Sequence, residues 1–367
     1  MARVRFFQAS EFAGLPPTAW RPEVCRPRNV FVFGAGVSAG AGFPLGRQLQ
    51  VEMERRLPKP HDETWRALKD AGLVRDDADL ELNLTRLDLE IRERASTGNE
   101  VIETPGGPVV LWPLRFAVFR AIQELFLEIH ARVGNRADYL RDFLARHVQR
   151  GDVIVTFNYD CLAENLLRNP GLWSLRDGYG LDLAGTYQDL EKEGGSPCVV
   201  LKLHGSIGWL STVPIEGNQL VIEPEILPIL GYPPTLKRRS WSSPKGVETP
   251  AVLPSYVKQL ATFPLPMIWR LAASLIRLAR RVVIIGYSFP APDSQSRLLL
   301  AASLRVRQRL TQVVYAQDEL RDAGGLEREF LSAGIRLPHV RSCVEHLATV
   351  ADLWPERRTD LFCGHRH

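Results

Sequence analysis

Val30-Phe-Val-Phe-Gly-Ala-Gly-Val-Ser-Ala39 is the stretch that decides the fold. The β-branched and aromatic run Val30–Phe33 offers no polar face, as a strand buried on both sides of a parallel sheet requires. It passes directly into Gly34-Ala35-Gly36-Val37-Ser38-Ala39, a G-x-G-x-x-A pattern in which a tight turn leads into a helix. Glycines there allow sharp turning and close backbone approach, and a helix N-terminus favours the negative charge of a pyrophosphate. The stretch therefore reads as a seat for a dinucleotide phosphate.

Working outward, the same plan recurs. Val153-Ile-Val-Thr156, Cys198-Val-Val-Leu-Lys-Leu203 and Val282-Val-Ile-Ile285 are apolar runs, each followed by small or polar residues: Asn158-Tyr-Asp160, His204-Gly-Ser206 and Gly286-Tyr-Ser288. Gln312–Ala316 and Val340–Val344 extend the set of predicted strands. Helices are predicted over 45–57, 162–168, 268–281, 294–310 and 326–333. Strand and helix alternate, so the fold class is α/β, a parallel sheet covered by helices on both faces.

Residues 61–148 depart from this rhythm and read as almost wholly helical. Phe116, Phe119, Ile122, Phe126 and Ile129 recur at helical spacing, and Thr104-Pro-Gly-Gly-Pro108 is the one break, a turn. So much helix exceeds one crossover connection, so the segment is assigned as a helical insertion between the first and second strands. Trp112, Phe116 and Phe119 are its candidate assembly surface, with internal packing the simpler reading. Residues 1–28 form a Pro- and Arg-rich lead-in, and 29–367 make up the main domain. Its 211–255 stretch, rich in Pro, Gly and Ser, reads as a loop or small lobe whose Lys237-Arg-Arg239 is a solvated face.

Bulk properties exclude several classes. Hydrophobic content of 45% and charge of 24% over 367 residues are those of an ordinary globular protein. A formal net charge of +4 does not argue for direct nucleic-acid binding. No uncharged apolar run approaches the roughly 18 residues of a membrane span. Glu11 and Pro16-Pro17 interrupt any signal-peptide core, so a cytoplasmic location with no membrane partner is expected. The five cysteines contain no C-x-x-C pair, and no metal site is expected. The terminal Cys363-Gly-His365-Arg-His367 has ligand residue types but no structure to fix their geometry.

The chemistry-bearing residues lie at the strand ends. Asn and Asp close turns and cap helices by bonding nearby amides, which by itself accounts for Asn158 and Asp160. At the mouth of a parallel sheet the same pair also suits a ribose hydroxyl or water (the amide) and a polar ligand group (the carboxylate). His204, at another strand end, is either a packed core histidine or a general base with a pKa near neutrality. A dehydrogenase is disfavoured, because the acidic residue that should end the second strand is missing; Glu52 and Glu54 fall in a helical pattern instead.

Gly34-Ala-Gly-Val-Ser-Ala-Gly-Ala-Gly-Phe-Pro44, Thr156-Phe-Asn-Tyr-Asp160, Leu203-His-Gly205 and Ile285-Gly-Tyr-Ser-Phe-Pro-Ala-Pro-Asp293, in that order, resemble the sirtuin-like superfamily. The Thr-x-Asn-Tyr-Asp and Gly-Tyr-Ser variants are most similar to its zinc-free prokaryotic NAD hydrolases of antiphage defence. The resemblance spans about residues 29–316. It implies a Rossmann-like sheet with NAD, as substrate, across the strand ends. Gly34, Ala35, Gly36, Ser38, Pro44 and Thr156 would line the dinucleotide. Asn158 would contact the nicotinamide ribose and help position a water, Asp160 would help hold the carboxamide, and His204 would be the catalytic histidine. Gly286 and Ser288 would lie near the adenosine half, and Asp293 matches a family position without an assigned role. The implied partners are further copies of the chain in a homo-oligomer and a separate sensor or activator chain.

Two departures bear on substrate. The four-cysteine zinc module of the deacetylases is missing, and Leu45-Gly-Arg47 replaces their acidic-aromatic-arginine stretch. Both weaken acyl-lysine chemistry and leave water as the acceptor, giving nicotinamide and ADP-ribose. A catalytically silent NAD or ADP-ribose sensor, and an NAD-dependent deacylase, stay open as alternatives.

Overall fold

The computed structural model describes residues 27–78, 80–97, 101–180, 192, 194–213, 215–216, 219–220, 223–226, 247–250, 265–287, 293–305, 312–316 and 340–343. The expected helix over 326–333, Lys237-Arg-Arg239, Ser288 and the cysteine-histidine tail lie outside the described residues, as does nearly all of the lead-in.

Six strands form the main sheet: β1 (Asn29–Phe33), β2 (Val153–Thr156), β3 (Val199–Lys202), β4 (Arg281–Ile285), β5 (Gln312–Ala316) and β6 (Val340–Cys343). Their spatial order is 3-2-1-4-5-6, and every neighbouring pair is parallel. This is the strand order of a Rossmann-like α/β fold, whose ligand crevice opens where the order reverses, beside β1 at the carboxyl ends. The apolar runs sit where the sequence places them. All five residues of β1, and all four of β2 and of β3, are buried, as strands covered on both faces must be.

Register sets the site level. Phe33 pairs with both Thr156 and Ile285, and Thr156 with Lys202. Gly34, Phe157, Leu203 and Gly286 therefore emerge side by side. Backbone bonds carry the ladder one step further, Phe157 N–H to Phe33 O at 3.0 Å and Leu203 N–H to Thr156 O at 2.9 Å.

Helices flank the sheet: α1 (Gly36–Ala39), α2 (Gly46–Glu54), α3 (His61–Asp70), α4 (Leu80–Thr97), α5 (Leu111–Arg132), α6 (Asp138–His147), α7 (Leu162–Arg168), α8 (Leu265–Leu278) and α9 (Ser294–Arg305). Between β1 and β2 the chain is mainly helical. On α5, Leu111, Leu114, Val118, Ile122 and Leu125 are buried at steps of three or four residues, the stripe by which a helix packs. Phe119 and Phe126 are buried too, so on the described residues this helix packs inward; the side chains of Trp112 and Phe116 lie outside them.

Two local differences from expectation appear. The break at Thr104–Pro108 closes a hairpin, Val101–Thr104 against Gly107–Val110, because the flanking Val-Ile and Val-Val pairs supply just enough β-branched residues to pair. Within the stretch read as a loop-rich lobe, Trp209–Val213 pairs antiparallel with Val247–Pro250 and Glu223–Ile226. No described helix is long and apolar enough to cross a membrane.

Candidate active site

The glycine turns after β1 and β4 interlock. Gly34 N–H donates to Ile285 O and Gly36 N–H to Gly286 O, both at 2.9 Å. A Cβ at Gly34 would stand 2.4 Å from Gly286 O and from Tyr287 Cα; one at Gly286, whose φ is +62°, would stand 2.5 Å from Val37 N. The glycines are thus required by backbone meeting backbone, whatever the ligand, and the Gly36 amide is already occupied. Ala35 is exposed at the tip of the turn, Pro44 is half-buried and Ser38 is buried. Tyr139 on α6 steadies the turn, its hydroxyl donating to Val37 O at 2.6 Å.

Ser38 faces Asn158. Asn158 Nδ2 donates to Ser38 Oγ at 3.1 Å, and Asn158 N–H to Thr156 Oγ1 at 3.0 Å. Asn158 is only 8% exposed, yet among the described residues its Oδ1 has no partner. An unsatisfied buried acceptor costs about 1–3 kcal/mol, so this one calls for a partner that the described residues do not supply. Asn158 Oδ1 belongs to a residue lining a cavity of about 10 Å³, whose polar lining is Ser38, Thr156, Asn158, Asp160 and Glu164. That volume matches a single water.

Asp160 works partly as the turn residue it resembles. Its Oδ1 accepts Leu162 N–H at 2.9 Å, starting α7. Its carbonyl oxygen accepts a hydrogen bond from Lys202 Nζ. Lys202 Nζ also meets Glu164 Oε1 at 3.0 Å with both side chains out of solvent, and Tyr179 OH donates to the same oxygen at 3.3 Å. Burial opposes charge on Lys202, but Glu164, Cys161 and Asp160 together outweigh it and hold the ammonium above the usual lysine range. On Glu164, burial pushes the carboxyl up.

Behind this loop stands His130 of α5, whose Nε2 accepts Cys161 N–H at 3.1 Å. Burial, aided by Lys202 and opposed by Asp160, lowers its pKa to about 4, so it is neutral and able to accept. Cys161 is buried with its thiol pushed up to about 12, mainly by burial, which makes it unreactive.

His204 belongs to a second polar cluster. Its Nε2 lies 3.2 Å from Ser296 Oγ and 3.5 Å from Asp293 Oδ1. Ser296 OH donates to Asp293 Oδ1 at 2.6 Å, and Tyr287 OH donates to Asp293 Oδ2 at 2.5 Å. Burial, then the charge of Asp293, keeps the Tyr287 phenol far above its ordinary range, so it stays a donor. Aromatic rings enclose the imidazole: Phe157 at 5.1 Å, Tyr159 at 6.1 Å and Trp269 at 6.5 Å between centroids. No family model and no curated protein matches this chain.

The structure therefore brings together Ser38, Thr156, Asn158 and Asp160 at the ends of β1 and β2, and His204, just past β3, with Asp293, just before α9. Phe157 joins the groups, since its ring also stacks on Tyr287 at 4.3 Å. Ser296 and the Lys202–Glu164 pair are neighbours of these residues that motif reading does not pick out, and Tyr287, inside the quoted Gly286-Tyr-Ser288 turn, has no role assigned there. Lys202 had a signal: a charge inside an apolar strand must find a partner. Among the described residues no cluster of His, Cys, Asp and Glu has the makings of a metal site.

Proposed function

We propose that this site hydrolyses NAD to nicotinamide and ADP-ribose. The observation that carries the proposal is the buried amide of Asn158, tied to Ser38 by one end and unpartnered at the other, at the strand-order reversal of a Rossmann-like sheet. The resemblance of four ordered motifs to sirtuin-like NAD hydrolases supplies the substrate.

Breaking the glycosidic bond puts oxocarbenium character on the ribose, and a site helps by orienting the leaving group, offsetting positive charge and presenting a nucleophile. In the proposal Asn158 holds the nicotinamide ribose and a water, and Asp160 orients the carboxamide. His204 removes a proton from the water, a contribution typically of about 10²–10⁴-fold. Ala35, Pro44 and Gly286 line the dinucleotide. As an NAD-depleting effector of defence, the chain would act as a homo-oligomer under a separate sensor or activator chain.

Equimolar nicotinamide and ADP-ribose from NAD, lost in Asn158→Ala and His204→Ala with folding intact, is the expected result. Tight calorimetric binding of NAD without turnover in any assembly state would favour a sensor. Product formed only with an acylated substrate would favour a deacylase.

A further inference from the structure

Asp293 is the site residue to which the resemblance gives no role, and its surroundings supply one. Both of its oxygens accept hydroxyl donors, Ser296 on Oδ1 and Tyr287 on Oδ2. Ser296 has a single proton, and it points at Asp293. Its oxygen can then only accept from His204 Nε2, 3.2 Å away. The carboxylate, itself 3.5 Å from Nε2, also demands a donor there. His204 therefore carries its proton on Nε2, which leaves Nδ1 as the basic nitrogen of the neutral ring.

The ring is held as well as polarised. Trp269, stacked near it, is fixed by its own Nε1–H donating to Leu203 O at 2.7 Å. Among the described residues, Asp293 meets the imidazole directly, Tyr287 holds the far oxygen of that carboxylate, and the Tyr159 ring lies 6.1 Å away. Burial keeps both phenols protonated, and Glu81 of α4 adds negative potential at each.

We propose that Asp293, bridged by Ser296, is a positioning residue that fixes the Nε2–H tautomer of His204 and makes Nδ1 the atom that takes the proton. For catalysis this rests on the hydrolase reading. The water O–H breaks, its proton goes to Nδ1, and its oxygen bonds the anomeric carbon. The glycosidic C–N bond breaks with both electrons going to the pyridinium nitrogen, which leaves as neutral nicotinamide. The imidazolium keeps Nε2–H on Ser296 and Asp293 until Nδ1 returns its proton to solvent.

Nitrogen-15 NMR of the histidine-labelled full chain tests this without turnover, the His204 signal being assigned by its loss in His204→Gln. Wild type should show the Nε2–H tautomer. Asp293→Asn should lower the His204 titration midpoint by about one pH unit or more, and Ser296→Ala, which keeps the carboxylate, should lower it less. If wild type releases nicotinamide, the acid limb of its pH–rate profile should move with the midpoint and kcat should fall about 10-fold or more in Asp293→Asn. An Nδ1–H tautomer in wild type, or an unmoved midpoint in Asp293→Asn, overturns the proposal. A shifted midpoint in a chain that binds NAD tightly yet releases no nicotinamide in any assembly state would uphold the positioning role and overturn the hydrolase reading in favour of a sensor.

Discussion

Lys202 and His204 stand two residues apart at the end of β3, each against a carboxylate, and the two pairs do opposite work. Lys202 meets Glu164 wholly out of solvent and ties the Asp160 carbonyl to the sheet. His204 reaches Asp293 through a serine hydroxyl and is ringed by aromatic side chains. A lysine held charged has no proton to exchange near neutrality, so the first pair is a fastening. In the proposed mechanism the imidazole, with Nε2 committed to Ser296, takes a proton on its other nitrogen, so the second pair is the one proposed to work. One strand thus leads both to a buried ion pair and, two residues on, to the histidine proposed as the base.

The largest expected effect breaks the lock. Lys202→Met leaves Glu164 buried beside no cation, which should reduce unfolding stability by about 3–5 kcal/mol in urea titrations. Adding Glu164→Leu should recover most of that loss, because a buried ion pair replaced whole by apolar groups is often neutral. If the double variant is as unstable as the single, the pair contributes more than mutual neutralisation.

A pH titration sharpens the comparison with a third group, His130, which braces the Cys161 amide behind the locked loop. Its pKa is lowered by burial to about 4, against 6.5 when unfolded. The unfolded chain therefore binds the extra proton between those values. Its contribution to stability is complete above pH 6.5 and is lost as pH falls to about 4, on the order of 3 kcal/mol in all. His130→Gln keeps an acceptor and removes the titration, so the acid-side slope of stability should flatten in the variant.

On the His204 side, Gly286→Ala forces a Cβ against Val37 N at a φ of +62°. It should cost on the order of 1–3 kcal/mol and displace Tyr287 from Asp293. The smallest effect is that of Ser296→Ala, about 1 kcal/mol for one buried hydrogen bond, measured by thermal unfolding.

The sheet was legible because a strand buried on both faces must be an uninterrupted apolar run, and Val30–Phe33, Val153–Thr156 and Val282–Ile285 are such runs. Asn158, Asp160 and His204 were legible by position, since whatever follows a parallel strand stands at the crevice. Their partners were not. Ser296 meets His204 across 92 residues of sequence, and no local pattern encodes that meeting. Glu164 lies in an ordinary helical pattern, and a lysine inside an apolar strand is the one local sign of the pair, a sign the motifs do not use. The Val101–Val110 hairpin was read as a turn because four residues on each side are too few to show a period. The glycines were legible as a close approach, but the backbone they approach is Gly286–Tyr287.

The decisive measurement is nicotinamide release from NAD by wild type and His204→Ala, with unfolding stability measured on the same preparations. The account expects release to fall at least about 100-fold in the variant while its stability stays within about 1–2 kcal/mol of wild type. Undiminished release from a folded His204→Ala chain would contradict it.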